Sequence, residues 1–149
     1  MTTTVRYLTA ADEAAWRRCW EAYGVFYETT FAEETTATTF ARLIDEATPH
    51  YMGLIAERDG EVIGIANGIV HSSTWSPKDR CYLNDLYVDP EARGSGAGKM
   101  LIERLVEIGR ERDWEQVHWL TAETNARARR LYDQFGPASG FINYRIVVK

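Results

Sequence analysis

Val88-Asp89-Pro90-Glu91-Ala92-Arg93-Gly94-Ser95-Gly96-Ala97-Gly98-Lys99, followed by Met100-Leu101-Ile102-Glu103-Arg104-Leu105, is the stretch that decides how the chain is read. An apolar strand ends in a proline-marked bend, a loop carries glycines at alternate positions, and a helix follows. A loop without side chains lets backbone N–H groups approach a ligand closely, and the helix behind it adds its positive N-terminal end. Together they favour a phosphate or pyrophosphate seated on Gly94 to Lys99. Taken alone, the same cluster also reads as a plain loop before a helix.

Two nucleotide motifs fail at this turn. The dinucleotide pattern G-x-G-x-x-G has Lys99 where its third glycine belongs, and it lies far from a first strand–helix turn. The phosphate-loop pattern G-x-x-x-x-G-K-[ST] meets Arg93 in place of its first glycine and Met100 in place of Ser or Thr.

The 149 residues fit a single domain, 1–149, with 45% hydrophobic and 26% charged residues as in ordinary globular proteins. No apolar run reaches the length of a membrane span, and the start Met1 to Arg6 lacks the regions of a signal peptide. A cytoplasmic protein is expected, with no membrane partner. The net charge of −5 argues against nucleic acid and tilts towards a cationic substrate. Cys19 and Cys81 lie in apolar patterns and read as buried thiols, while His50, His71 and His118 show no metal-ligand spacing.

Before the turn, Val5 to Leu8 reads as a strand, and Thr9 with Asp12 forms a capping pattern for a helix to about Tyr23. Trp16, Cys19, Trp20 and Tyr23 share one face of that helix. Phe26, Tyr27 and Phe31 continue the aromatic run beside Glu28, Glu33 and Glu34, a mixture suited to a cationic amine or simply to an exposed loop. Thr35 to Ala47 is a second helix closed by Pro49. Tyr51–Glu57 and Val62–Val70 are strands of a hairpin turning at Arg58-Asp59-Gly60-Glu61. Gly64 and Gly68 point to a bulge or close packing. A polar loop, His71 to Arg80, carries Trp75. Cys81 to Val88 feeds the glycine turn, interrupted by Asn84 and Asp85, and polar residues inside an apolar strand need a reason.

After the turn, Ala97 to about Arg112 is a helix burying Leu101, Ile102, Leu105 and Ile108. Val117–Thr121 reads as a strand, Asn125 caps a helix with Ala128, Leu131, Tyr132 and Phe135 on its apolar face, and Phe141–Val148 reads as a last strand. The order β-α-α-β-β-β-α-β-α-β is that of a mixed sheet with helices on both faces.

These residues resemble the GCN5-related N-acetyltransferases. Arg93-Gly94-Ser95-Gly96-Ala97-Gly98 matches that family's R/Q-x-x-G-x-G/A signature, and Asn125, Ala128, Leu131 and Tyr132 match N-x-x-A-x-x-L-Y. Element order agrees over the whole chain. Tyr82 to Val88 and Gly140 to Tyr144 are most similar to the polyamine, diamine and Hpa2-like branch, although Asn84 stands where that branch often has Glu. The resemblance implies an α/β (α+β) fold: a mixed, mostly antiparallel sheet of six to seven strands with helices on both faces. It also implies a homodimer, with C-terminal strands packed or exchanged between subunits.

The implied reaction is direct transfer of acetyl from acetyl-CoA to a primary amine, with a small polyamine- or diamine-like molecule favoured as acceptor. A protein lysine or N-terminal acetyltransferase, or a non-catalytic acyl-CoA sensor, are the other readings. Gly94, Ser95, Gly96, Ala97, Gly98 and Lys99 would hold the pyrophosphate, Arg93 would help, and Arg127, Arg129 or Lys99 would meet the adenosine phosphate or face solvent. Leu86, Tyr87 and Val88 would pair with the pantetheine arm, Leu86 or Tyr87 would lend an oxyanion N–H, and Asn125 would bind the arm, cap its helix, or both. An alkyl ammonium has a reference pKa of about 10.4, so a base must take its proton. Asp85 is the candidate, with Asn84 orienting water, and Tyr132 is the candidate acid for the leaving thiolate. Tyr23, Tyr27, Glu28, Trp75 and Asp85 are the candidate acceptor contacts. The implied chemistry requires neither a metal nor a covalent acyl-enzyme.

Overall fold

Alternating apolar residues on either side of a short turn build the centre of the sheet. The computed structural model describes residues 2–148. Strands β1 (Thr3–Tyr7), β2 (Tyr51–Arg58), β3 (Glu61–His71), β4 (Arg80–Val88) and β5 (Gln116–His118) form one sheet in the order β1-β2-β3-β4-β5. The first four pair antiparallel, and β5 joins β4 in parallel. The β2–β3 turn places Asp59 at φ 54° and Gly60 at φ 81°, the left-handed pair that matches the twist of a two-residue hairpin.

The sheet carries helices on both faces, and each face has its own core. Helix α3 (Ala97–Arg112) lays Leu101, Ile102, Leu105 and Ile108 on Leu54, Ala56, Ala66, Cys81 and Leu83. Helices α1 (Glu13–Phe26) and α2 (Glu33–Ile44) cover the opposite face, where Trp16, Cys19, Trp20, Phe40 and Leu43 meet Leu8, Ile55 and Ile65. Trp16 is buried, stacked at 5.2 Å on Trp20 and tilted at 5.4 Å to Phe40. The helical stripe read from the sequence is thus core as far as Trp20. Tyr23, one turn on, is only half-buried.

The Thr9–Asp12 cap forms, with Asp12 accepting from the Thr9 N–H at 2.8 Å, but a 3-10 turn over Ala10–Asp12 precedes α1. Helix α2 begins two residues earlier than its pattern predicts and stops at Ile44. There Asp45 turns to an extended ψ and its carboxylate accepts the Ala47 N–H at 2.8 Å, a side-chain turn that replaces the helix. Both β3 glycines are sites of close approach. A Cβ on Gly64 would lie 2.8 Å from the Tyr87 carbonyl, and one on Gly68 would lie 3.0 Å from the Cys81 sulfur.

The sheet has five strands, not the expected six to seven. Pairing of β5 ends at His118, so Trp119 to Thr121 are not strand. Phe141–Val148, which reads as a strand, is in neither strand nor helix, with Phe141, Tyr144, Ile146 and Val148 all more than 80% exposed. Its alternation suits a pleated strand, but among the described residues no strand edge meets it. The short helix α4 (Ala126–Tyr132) lies between these two segments. His71 and His118, far apart in sequence, reach across β4 to an Nε2–Nε2 distance of 2.8 Å.

Asp12 also holds Arg6 through two hydrogen bonds of 2.8 and 2.9 Å, and Arg6 pairs in addition with Glu57. The Arg6 guanidinium lowers the Asp12 carboxyl to about 2. Its contribution to stability is present above the normal carboxylate range and is lost as pH falls towards 2. Asp12→Asn is expected to destabilise the fold by about 1–2 kcal/mol at pH 7, because half of Arg6 is solvated. Urea denaturation at pH 7 and at low pH checks this, the difference shrinking on acidification.

Candidate active site

Strand β4 has a hydrogen-bonded neighbour on both edges only at its beginning. Its pairing with β5 covers Arg80, Cys81 and Tyr82, whereas its pairing with β3 runs on to Val88. From Leu83 onward the β5-side edge of β4 is open among the described residues. A bulge falls at the same place: Asn67 faces Asp85 and Gly68 faces Leu83, which leaves Asn84 without a partner residue. The bulge explains why two polar residues interrupt an apolar strand. It lies two residues before Leu86, the first of the two residues nominated for an oxyanion N–H.

Below the open edge the chain turns through Pro90–Ala92 into the glycine loop. Gly94 (φ 84°) and Gly96 (φ 79°) take left-handed conformations that a side chain would strain. Gly98 serves a different purpose. A Cβ there would lie 3.1 Å from the Leu131 side chain, so Gly98 lets α4 pack against the start of α3. Ser95 Oγ accepts the Ala97 N–H at 3.2 Å. The N–H groups of Gly94, Gly96, Gly98 and Lys99 have no acceptor among the described residues, the arrangement that suits an anion.

Loop, open edge and α4 enclose a cavity of about 370 Å³. It is lined by Leu86, Tyr87 and Val88, by every residue from Arg93 to Lys99, and by Asn125 and Tyr132. Tyr23 and Phe26 of α1, with Tyr27 just past its end, line it too. Asn125 caps α4, its Oδ1 accepting the Ala128 N–H at 3.3 Å, which leaves its Nδ2 free for a ligand. Arg129 is not on the cavity: its guanidinium folds back to the Glu123 carbonyl at 2.9 Å, and Arg127 lines the cavity instead. A larger polar cleft at Arg6, Arg18 and Glu57 is filled with paired charges and holds none of the candidate residues.

Asp85 is only 8% exposed and, like Asn84, does not itself line the cavity; it adjoins Tyr23 and precedes Leu86, both of which do. Each carboxylate oxygen accepts one amide hydrogen, Oδ1 from Asn84 at 3.0 Å and Oδ2 from Asn67 at 3.1 Å. The Tyr23 hydroxyl faces it as a further donor, beyond ordinary hydrogen-bond length. Burial raises the Asp85 carboxyl above its usual range, and the three donors oppose that rise. No cation pairs with it among the described residues. Burial likewise raises the Tyr132 phenol, which stands edge-on to Trp119 at 5.4 Å, so it keeps its proton at neutral pH.

Several nominated acceptor contacts are elsewhere. Trp75 projects from the β3–β4 loop, 81% exposed and off the cavity. Glu28 is exposed at φ 55° beyond the end of α1 and does not line the cavity, and Glu33 is paired with Arg17 at 2.9 Å. The loop carboxylates therefore do not converge on the site. Asn67 is the residue that the sequence reading passed over. The signal was there: a polar residue between Ala66 and Gly68 in an apolar strand, as unusual as Asn84 and Asp85.

A family model described as acetyltransferase (GNAT) family matches residues 13–136. The chain belongs to the GNAT acetyltransferases. This acetyltransferase is 33% identical over 142 residues to the D-amino-acid N-acetyltransferase HPA3 of Saccharomyces cerevisiae, covering 95% of this chain and 88% of that protein. It is 34% identical over 97 residues to the thialysine N-epsilon-acetyltransferase of Bos taurus, covering 60% of this chain and 56% of the relative. A solved structure of AAC(6')-Iy in complex with the bisubstrate analogue CoA-S-monomethyl-acetylneamine shares its fold. The TM-score is 0.83 at 17% identity, over 99% of this chain and 100% of the other.

The acetyltransferase's glycines are expected to separate by role. Gly94→Ala, with open space around the new Cβ, should cost about 1–2 kcal/mol from its positive φ alone. Gly98→Val should disturb Leu131 and weaken α4, lowering the thermal midpoint and the protection of α4 amides in hydrogen exchange. Gly94→Ala should leave that protection intact.

Proposed function

We propose that this acetyltransferase carries the acetyl group of acetyl-CoA to a small cationic amine by direct attack, and that the uncompensated Asp85 carboxylate draws the amine in. A buried anion held only by neutral amides is costly, and an ammonium group arriving beside it supplies the missing charge. Tyr23, Phe26 and Tyr27, which line the cavity, add cation–π attraction. The relatives named for D-amino acids and for the ε-nitrogen of thialysine support a small amine acceptor.

Acetyl-CoA, when bound, supplies an acetyl thioester whose thiolate leaves. The free N–H groups of the glycine loop fit its pyrophosphate, and Arg93, Lys99 and Arg127 surround them with positive charge. The open edge of β4 from Leu86 to Val88 offers unpaired backbone groups to the amides of the pantetheine arm. Leu86 or Tyr87 lends an N–H to the developing oxyanion. Asp85, set back from the cavity lining, accepts the ammonium proton through water. Asn84 spends its amide hydrogen on Asp85 and keeps its exposed carbonyl for that water. Tyr132, still protonated at neutral pH, returns a proton to the sulfur. Cys19 and Cys81 are buried away from the cavity, their thiols pushed up to about 11 and about 12, so neither serves as an acyl carrier.

The quaternary reading is a homodimer. Phe141–Val148 exposes an alternating apolar face that a second copy of the chain would cover by strand pairing. Sedimentation is expected to show a dimer, and Ile142→Asp with Ile146→Asp a monomer.

Thiol release with acetyl-CoA against a panel of diamines, polyamines, D-amino acids and lysine-rich peptides tests the acceptor. Turnover of small cationic amines is expected. Turnover of peptides alone would favour a protein acetyltransferase, and tight acetyl-CoA binding without any turnover would favour a sensor. Tyr132→Phe should lower kcat by at least about 100-fold with little change in KM for acetyl-CoA. Full retention of kcat would remove Tyr132 from the mechanism.

A further inference from the structure

Asn67 and Trp16 form a buried chain that ends on Asp85. The Trp16 indole N–H donates to Asn67 Oδ1 at 3.1 Å, and Asn67 Nδ2 donates to Asp85 Oδ2 at 3.1 Å. Asn67 is 3% exposed and Trp16 fully buried, so neither has water as an alternative partner. An indole nitrogen is only ever a donor, and it therefore dictates which end of the Asn67 amide faces it. With the amide oxygen committed to Trp16, the amide hydrogens must point at the carboxylate. A free amide can flip and present its oxygen to an acid. This one cannot, without leaving the indole N–H unpaired in the core.

We propose that Asn67, locked by Trp16, is a positioning residue that fixes the Asp85 carboxylate beside Tyr23, which lines the cavity, and holds it in its charged form. The inference rests on the assignment of Asp85 as the group that receives the amine's proton. It adds two residues that touch neither the cavity nor either substrate. Charge-assisted N–H···O bonds favour the anion, whereas burial favours the acid. The groups facing Asp85 are Tyr23 from α1, Asn67 from β3, and Asn84 and Tyr82 from β4. Tyr27 and Tyr132 stand behind Tyr23. None is cationic. Asn84 is exposed and can be drawn away by solvent, so the buried Asn67 amide is the donor that stays in place.

The bulge at Asn84 belongs to the same device. It places Asp85 directly opposite Asn67 in the β3–β4 register, so both project to the face that α1 covers. Trp16 then reaches Asn67 from the first turns of α1. Asn67 from β3 and Asn84 from β4 donate to the carboxylate, and Trp16 from α1 reaches it through Asn67.

The test is the titration of Asp85 itself, read from its carboxyl carbon by NMR in protein labelled with 13C-aspartate, alongside the pH profile of kcat/KM. Asn67→Ala removes the donor and is expected to raise the Asp85 midpoint by about one pH unit. The acidic limb of kcat/KM should move to higher pH by the same amount, with KM for acetyl-CoA unchanged. Asn67→Asp preserves shape, guards against a packing artefact, and should raise the midpoint further, since two facing acids share one proton. Trp16→Phe should move it in the same direction by freeing the amide to flip. An Asp85 midpoint that stays put in folded Asn67→Ala and Asn67→Asp would overturn the proposal. Asp85→Asn separates the two levels. If it leaves kcat/KM and its acidic limb intact, the base assignment fails, while the carbon titration still decides the role of Asn67.

Discussion

The site depends on the point at which β4 loses its neighbour. Up to Tyr82 the strand is hydrogen-bonded on both edges, and beyond it only β3 continues. A strand half-released in this way carries backbone donors and acceptors with no protein partner, which is tolerable only where a ligand or water takes them up. The bulge at Asn84 sits just past the release and turns Asp85 towards α1. The glycine loop follows at the strand's end, so a buried carboxylate, an open strand edge and the unpaired amides of the loop lie along one continuous stretch from Asn84 to Lys99. One feature of sheet pairing thereby orders the whole site.

Helices on both faces make that open edge possible. Helix α3 carries the larger core beneath β2, β3 and β4, so β4 keeps its place without a partner on its second edge. Gly98 brings Leu131 against the start of α3, and this seats α4 with Tyr132 across the gap. On the other face, α1 contributes Trp16 to the core and Tyr23 to the cavity from a single helical stripe. The aromatic run therefore faces the core at one end and the cavity at the other, and the change occurs between Trp20 and Tyr23.

Much of this was legible in the residues. The Thr9–Asp12 cap, the Asp59-Gly60 turn, the α3 boundaries and the glycine loop follow from local chemistry that tertiary contacts did not override. The loop residues, Asn125 and Tyr132 do share one cavity. What the sequence hid was long-range. Nothing local tells that Arg129 would turn back on Glu123 while Arg127 faces the cavity, since both lie on one short helix. Trp75 and Glu28 looked like acceptor contacts by composition, but a loop's composition does not say which way it folds. Phe141–Val148 has the alternation of a strand, and alternation reports a preference without supplying an edge to pair with. Asn67 was passed over because its partners, Trp16 and Asp85, are 51 and 18 residues away.

The chemistry that follows is a transfer with both substrates present together. The tyrosine phenol lines the cavity, neither cysteine does, and both thiols are in the core. Steady-state initial velocities, measured with acetyl-CoA and an accepted amine varied against each other, test this most directly. The account predicts double-reciprocal lines that intersect, as for a ternary complex. Parallel lines, the mark of an acyl-enzyme formed and discharged in turn, would contradict it.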